Sequence, residues 1–501
     1  MTERTVIIIG AGLAGLSAGC YAQLGGYRAR IFEHHTAPGG VAACWRRGDY
    51  LIDGGIHFMM GNKPGSSVLE MYKDLGVAGA TKLLPMDTYG RFVDETTGRE
   101  LVVTKDLDRL EADLSARFPS DAKAIAALVS DVRRLTDIDM LSSSMSEPPE
   151  LMGPWEQLKM MWGMRGLLRY FSGKYKRPVS EYTKGLSDPD LRYLLDNLFL
   201  PEVPLWFILM LLGMLAGGQM ALLEGGSESL VRPIERRFTS LGGEVTYGAR
   251  VERVLVESDN ATGVRLVDGT EHRADRVISA ADGRGTIYGM LGGRYVDRAI
   301  EGRYRSWRTI PPLLMASFGV AREFKGETSI TMYRMREPLA VGEGKVKTMS
   351  VRLFNYSGAF APPGRTVVQA MFDTDWDHWR KLREDKAAYD LAKDKVASDI
   401  LSRLEAHYPG LAGQVELTDV ATPHTMWRYT LNDRGAYMGW LPPAEEMTRS
   451  MPRALPGLRG FYMAGQWSTP GGSALTSMYS GKQAVQVMAY DDGLPAMGIG
   501  K

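Results

Sequence analysis

Residues 6–33 read VIIIGAGLAGLSAGCYAQLGGYRARIFE. Val6 to Ile9 make a short β-branched strand, Gly10, Gly12 and Gly15 follow in G-x-G-x-x-G spacing, and a helix-like stretch leads to a second short strand ending at Glu33. This is the pattern of a βαβ unit that binds a dinucleotide. Gly10 allows the tight turn, Gly12 lets backbone approach a pyrophosphate at the helix N-terminus, and Gly15 lets the helix pack closely on the sheet. Glu33 stands 18 residues beyond Gly15, near the position from which a carboxylate meets an adenosine ribose, and its charge repels a 2′-phosphate. FAD or NAD is therefore expected in preference to NADP.

A chain of 501 residues exceeds one ordinary core and suits two domains, interleaved or consecutive. Lys and Arg number 60 against 59 Asp and Glu, so nothing points to a polyanionic partner, and nucleic acid is not expected. Cys20 and Cys44 are the two cysteines, which excludes a disulfide framework and a CxxC redox or metal site; no metal is expected. Met-Thr-Glu-Arg-Thr runs straight into the first strand and leaves no room for a signal sequence. A reducing, cytoplasmic location is expected.

Glycine pairs at Gly39-Gly40 and Gly54-Gly55 require backbone to pass close to a neighbour. Residues 105–136 have amphipathic helical spacing broken once, at Pro119. Residues 155–175, WEQLKMMWGMRGLLRYFSGKY, mix Trp, Met and Leu with an excess of Lys and Arg, and residues 203–216, VPLWFILMLLGMLA, are almost wholly apolar. The latter run is shorter than the ~20 residues that span hydrocarbon. Two readings stay open: a greasy tunnel wall with a basic face dipping into lipid, or a buried core helix with a solvated basic surface. Residues 242–282 alternate as a meander of short strands ending in a buried run at Val277–Ala281, residues 383–407 read as helix, and residues 457–488 read as strand, glycine turn and helix. One G-x-G-x-x-G unit implies one dinucleotide per chain.

Taken in order, the N-terminal fingerprint, Gly39-Gly40, the meander and the Gly465 to Gly481 segment resemble the FAD-dependent phytoene desaturase-like oxidoreductases, whose frame amine oxidases share. That group includes carotenoid desaturases, carotenoid isomerases and retinol saturases. Asp53-Gly54-Gly55-Ile56-His57-Phe58, Thr422-Pro423-His424-Thr425, Arg428-Tyr429, Gly435-Ala436-Tyr437 and Gly465-Gln466 lean toward the isomerase and saturase side. The His-containing sequence after Gly55 departs from the proline-containing version of carotene desaturases, and Ser473 and Leu475 interrupt a more glycine-rich C-terminal form.

The resemblance implies an α/β fold: a Rossmann-type FAD-binding domain (1–75, 225–290 and 445–501) interleaved with a mixed-sheet substrate domain (76–224 and 291–444) carrying helical insertions, of which 150–224 is the candidate for membrane contact. It implies FAD lying extended, with its pyrophosphate on Gly10, Gly12 and Gly15 and its ribose on Glu33; Gly39 and Gly40 match the family directly. Val251 would bring backbone near the adenine, and Gly465 would meet the pyrophosphate and ribityl region. Gly472, Ser473 and Ala474 would aim a helix N-terminus at the flavin carbonyl, where reduction concentrates negative charge.

The implied activity is flavin chemistry on carbon–carbon bonds of a long apolar polyene, isoprenoid or lipid: saturation, desaturation or isomerisation, with an external electron donor or acceptor and peripheral contact with the inner face of a membrane. The rivals are a flavin amine oxidase and a non-catalytic flavin-binding or lipid-carrier protein. Saturation needs a proton beside the flavin, and His57 is the first candidate because histidine titrates near neutral pH; Tyr429 is the second. His57 fits equally well as a ring that bonds backbone and shapes the pocket. Trp440 and Trp467 either sandwich the substrate or pack in the core.

Overall fold

Strand Thr5–Ile9 is the middle of a five-stranded parallel sheet, in the order Glu244–Thr246, Arg28–Phe32, Thr5–Ile9, Arg276–Ser279, Phe461–Met463. The structure, a computed structural model, describes residues 4–137, 148–163 and 165–494. The run Val6–Ile9 is continuously apolar because both faces of the sheet are covered. Val6 and Ile8 pack with helices Leu13–Leu24, Glu228–Ser240 and Ala474–Asp491. Ile7 and Ile9 pack with Val254 and Val264 of the meander, strands Val251–Glu257 and Asn260–Leu266. The expected strand at the end of the meander is Arg276–Ser279, and it joins the parallel sheet beside Thr5–Ile9.

A second, mixed sheet has seven strands in the order Val415–Ala421, Leu313–Val320, Thr366–Asp373, Gly344–Leu353, Ile330–Val341, Thr88–Asp94, Glu100–Thr104. Ile330–Val341 and Thr88–Asp94 run parallel and the other pairs antiparallel. Helix Lys386–His407 covers one face through Val396, Ile400 and Leu404. The other face, carrying Phe92, Leu101 and Met332, meets the core that also holds the helical insertions. The chain passes repeatedly between the two sheets, which is the interleaved α/β architecture read from the sequence.

Pro119 breaks the amphipathic stretch as expected, into helices Leu107–Arg117 and Ala122–Leu135, with the short turn Pro119–Asp121 between them. The two stretches left open resolve differently. Helix Leu205–Ala216 is core: Gly213 sits where a side chain would lie 3.0 Å from Leu135 Cβ, so it packs directly on Ala122–Leu135. Helix Pro154–Gly163 instead leaves Trp155 78% and Trp162 70% exposed. Among the described residues no helix is long and apolar enough to cross a membrane.

Candidate functional site

The N-terminal glycines form a cradle at the carboxyl end of the parallel strands. Gly10 N donates to Phe32 O at 2.8 Å, closing the turn. A side chain at Gly15 would run into Gly10 O, so the helix rests on the turn at backbone distance. Gly12 caps helix Leu13–Leu24, and a Cβ there would meet nothing nearer than Gly39 O at 3.9 Å. Gly39 N donates to Ala11 O at 2.9 Å; its φ of +119° is one that side chains rarely adopt, and Gly40 follows it against Gly12 Cα. This open ledge of backbone at a helix N-terminus fits a pyrophosphate.

Glu33 is buried beside the ledge. Its Oε2 accepts from Ala11 N at 2.6 Å and its Oε1 from His35 N at 2.7 Å. Burial pushes its carboxyl above the ordinary range, against the pull of those two amides. A carboxylate has about four acceptor positions, so two remain for ribose hydroxyls. Ala249 N donates to Glu33 O and Gly248 N to His35 O, at 2.8 and 3.0 Å, which brings buried Val251 up against the same side.

At the other end of the ledge Gly465 follows strand Phe461–Met463, and its N–H donates to Ser480 Oγ at 2.9 Å. Gly472 is required by close approach, since a Cβ would lie 2.9 Å from Met438 Cβ. Ser473 caps the helix that begins at Ala474: its Oγ accepts from Thr476 N at 3.1 Å while Thr476 Oγ1 accepts from Ser473 N at 2.9 Å. Thr469 Oγ1, in the turn just before, is buried with no partner among the described residues, an orphaned polar atom of the kind a bound cofactor satisfies.

The His57 loop is fixed by a buried carboxylate. Asp53 ends strand Tyr50–Asp53; its Oδ1 accepts from Gly55 N at 3.0 Å and from Ser227 Oγ at 2.7 Å, and Ser227 Oγ accepts from Ile56 N at 2.7 Å. Gly55 has no room for a side chain, because Ser227 Oγ and Ala42 Cα lie 2.5 and 2.8 Å from the Cβ position. Arg352 Nη2 donates to Ile56 O at 3.2 Å. His57 Nε2 then lies 3.3 Å from Tyr437 Oη, whose own proton goes to Gly55 O. With that proton committed, the pair forms a line in which Nε2–H donates to Tyr437.

Burial, helped by the nearby Arg352 guanidinium, lowers His57 to about 3, and burial raises Tyr437. That shift is downward from the near-neutral value at which a histidine ordinarily titrates. Tyr429 is not brought to it. It lies at the end of helix Pro423–Thr430, is 40% exposed, and sets its ring edge-on to His35 at 4.9 Å, on the side of Glu33. The tyrosine beside His57 is Tyr437, already present in the Gly435-Ala436-Tyr437 motif but with no local signal of its partner. Trp440 and Trp467 pack edge to face at 5.4 Å within a core cluster that includes Trp307, so they are not faces of a sandwich. The buried guanidinium of Arg352 lies in a strand whose alternation marks only an inward position.

Residues 13–489 match the model of the family described as flavin containing amine oxidoreductase. The chain belongs to this family. Like its members it is an FAD-dependent oxidoreductase. It is 23% identical to the chloroplastic prolycopene isomerase of Arabidopsis thaliana over 97% of this chain and 83% of that protein. It is 29% identical to the all-trans-zeta-carotene desaturase of Myxococcus xanthus over 60% of this chain and 57% of that one. Among solved structures it is similar in fold to an oxidoreductase from Methanosarcina mazei (TM-score 0.60, 17% identity, 96% and 99% of the two chains). It is similar likewise to cyclohexylamine oxidase from Brevibacterium oxydans (TM-score 0.60, 15% identity, 98% and 100%).

Proposed function

We propose that this flavoenzyme acts on the conjugated double bonds of a long apolar polyene, and that its reaction is geometric isomerisation. In this reading Gly10, Gly12, Gly15, Gly39 and Gly40 hold the pyrophosphate of FAD, Glu33 its ribose, Val251 the adenine side, and Gly465 with Gly472, Ser473 and Ala474 the ribityl and flavin end. FAD supplies the electron-pair chemistry when bound. The chain's own contribution is to hold the substrate dry and in register, with His57 and Tyr437 presenting a fixed neutral hydrogen-bonded line beside it.

The observation that carries this reading is the His57–Tyr437 pair, 3.3 Å apart, in which the Tyr437 proton is held by Gly55 O. Saturation adds hydride to one carbon and a proton to the other, and the Tyr437 proton is already engaged by Gly55 O. Isomerisation consumes no net proton or electron. Similarity to prolycopene isomerases over nearly the whole chain supports the same choice. Similarity to phytoene and carotene desaturases, over 58% to 60% of the chain in some and 97% in that of Paracoccus, keeps desaturation as the second reading, and that direction requires an external electron acceptor.

Peripheral membrane contact completes the proposal, because a polyene of this kind is delivered from lipid. The exposed Trp155, Leu158 and Trp162 of helix Pro154–Gly163 stand in a stretch with exposed Lys159, Arg165 and Arg169, the combination that settles into a headgroup layer.

The deciding experiment is anaerobic. Holoenzyme with photoreduced flavin is given a poly-cis C40 polyene, and flavin absorbance is followed while the extracted lipid is analysed. Altered double-bond geometry with the flavin still reduced supports isomerisation. Reoxidation with a product two hydrogens heavier establishes saturation instead; reduction of oxidised flavin by the polyene establishes desaturation; response only to an amine moves the protein to amine oxidation.

A further inference from the structure

Beneath helix Pro189–Asp196 the seven-stranded sheet is indented by an open cleft that encloses about 50 Å3. Phe92, Leu101, Leu194 and Met332 give it apolar walls, Tyr193, Asn197, Thr348 and Arg334 a polar end, and Asp94, Arg99, Glu100, Arg117 and Asp190 a charged rim. It lies on the same face of the sheet as the His57 loop. Along strand Gly344–Leu353, alternation puts Thr348, Ser350 and Arg352 on one side, and Arg352 is the residue that donates to Ile56 O. Arg334, Met332 and Ile330 stand in register with those three on the next strand. Four residues of extended chain place Thr348 roughly 13 Å from Arg352, so a rigid substrate reacting beside His57 is long enough to reach the cleft with its far end.

The hydrogen bonds at the polar end specify what that far end carries. Thr348 Oγ1 gives its one proton to Asn197 Oδ1 at 3.0 Å. In the close contact between Thr348 and Tyr193 the donor is therefore Tyr193 Oη, which keeps only accepting capacity. Arg334 lies over the Tyr193 ring at 4.4 Å and spends Nη1 on Asp94 and Asp190, at 2.9 and 2.8 Å. Its Nε and Nη2 make no hydrogen bond among the described residues. An acceptor beside a free donor is the complement of a hydroxyl group, which needs both. A bare hydrocarbon would desolvate these groups without return; a ketone would use the Arg334 donor alone and leave the Tyr193 acceptor unmet.

We infer that this cleft binds the end of the substrate remote from the reacting bond, and that this end carries a hydroxyl on an otherwise hydrocarbon skeleton. The inference rests on the polyene reading above. Tyr193 and Thr348 are then specificity residues that touch the substrate end and take no part in the chemistry.

The test uses FAD-loaded enzyme and two C40 polyenes of one skeleton, one with a terminal ring hydroxyl and one without, with dissociation constants read from quenching of tryptophan fluorescence. The wild type binds the hydroxylated polyene about tenfold more tightly, the size expected of one buried neutral hydrogen bond. Tyr193→Phe loses that preference while holding the hydrocarbon as before. Thr348→Val frees the tyrosine proton, and preference moves toward a ketone-ended polyene, which mere loss of structure does not produce. Leu194→Trp fills the cleft and weakens both polyenes. Equal binding of the two polyenes by wild type, or a preference that survives Tyr193→Phe, overturns the inference and leaves the polyene reading standing; no binding of either polyene to wild type overturns both.

Discussion

Tyr437 Oη and His57 Nε2 lie 3.3 Å apart although 380 positions separate them in the chain. The contact joins the Asp53-Gly54-Gly55 loop to the turn after helix Pro423–Thr430, and Tyr437 clamps it by donating to Gly55 O. Tyr437→Phe removes both hydrogen bonds and keeps the ring. Turnover is expected to fall by about 10²-fold, the size of a loss of positioning of about an ångström, with flavin content unchanged. Flavin absorbance per protein and rate, measured on the same sample, separate this from a collapse of the cofactor site.

The lowered pKa of His57 makes stability depend on pH with a definite sign. In the unfolded chain the imidazole protonates near its ordinary value of about 6.5, whereas in the folded chain it resists until about 3. Between those values the unfolded state binds the extra proton, so stability is lost as pH falls from 6.5 toward 3, by on the order of 4 kcal/mol over the whole window. His57→Gln is expected to flatten the slope. Thermal unfolding of the two proteins at pH 7 and pH 4.5 gives the comparison, with the wild type losing more.

Asp282 works in the opposite direction. Burial raises its carboxyl to about 6, against the amides of Asp433 and Gly285 that it accepts. The folded state therefore holds the proton between about 4 and 6 while the unfolded state has released it, and this group's contribution to stability grows as pH falls through that window. Asp282→Asn is expected to raise stability at pH 8 relative to wild type and to lose the advantage near pH 4.5, read as a crossing of the two Tm profiles.

Much of this fold is legible in the sequence because its signals are local. The run Val6–Ile9, the three glycines and Glu33 lie within one βαβ unit, and Pro119 breaks a helix through its own ring. The His57 site is different in kind. Its partners come from Ser227, Arg352 and Tyr437, brought together by three separate returns of the chain, and no spacing rule links them. Tyr429 stands in the Arg428-Tyr429 motif, yet helix Pro423–Thr430 turns it outward to His35, while the left-handed Leu431 and the hydrogen bond from Gly435 N to Asn432 O reverse the chain and deliver Tyr437 inward. The pKa of His57 was equally out of reach, since it is set by burial and by Arg352.

Gly12 and Gly15 are expected to behave differently when substituted. A side chain at Gly15 collides with Gly10 O and breaks the packing of helix on strand, so Gly15→Val lowers Tm and flavin content together. At Gly12 a side chain meets only Gly39 O at 3.9 Å, so Gly12→Trp leaves the fold intact and occupies the ledge instead. The expected product is a folded, colourless protein; circular dichroism and flavin absorbance check the two halves of the statement.

Trp155 and Trp162 face solvent on a helix that otherwise has little reason to expose them. Full burial of a large apolar side chain is worth roughly 1.5–3 kcal/mol, so seating either indole in a headgroup layer should contribute about tenfold or more to membrane affinity. In sedimentation with anionic vesicles, Trp155→Ala and Trp162→Ala are each expected to move protein from pellet to supernatant, and the double variant to do so almost completely. Raising the salt concentration should weaken binding of the wild type through Lys159, Arg165 and Arg169 without abolishing it, because the indoles are insensitive to screening. Substitution within helix Leu205–Ala216 gives the contrasting pattern: Gly213→Leu, which would press on Leu135, is expected to lower Tm and leave the vesicle affinity of the folded fraction unchanged. Equal pelleting of wild type and the double tryptophan variant would mean that these indoles belong to some other contact, and the membrane reading would fall with them.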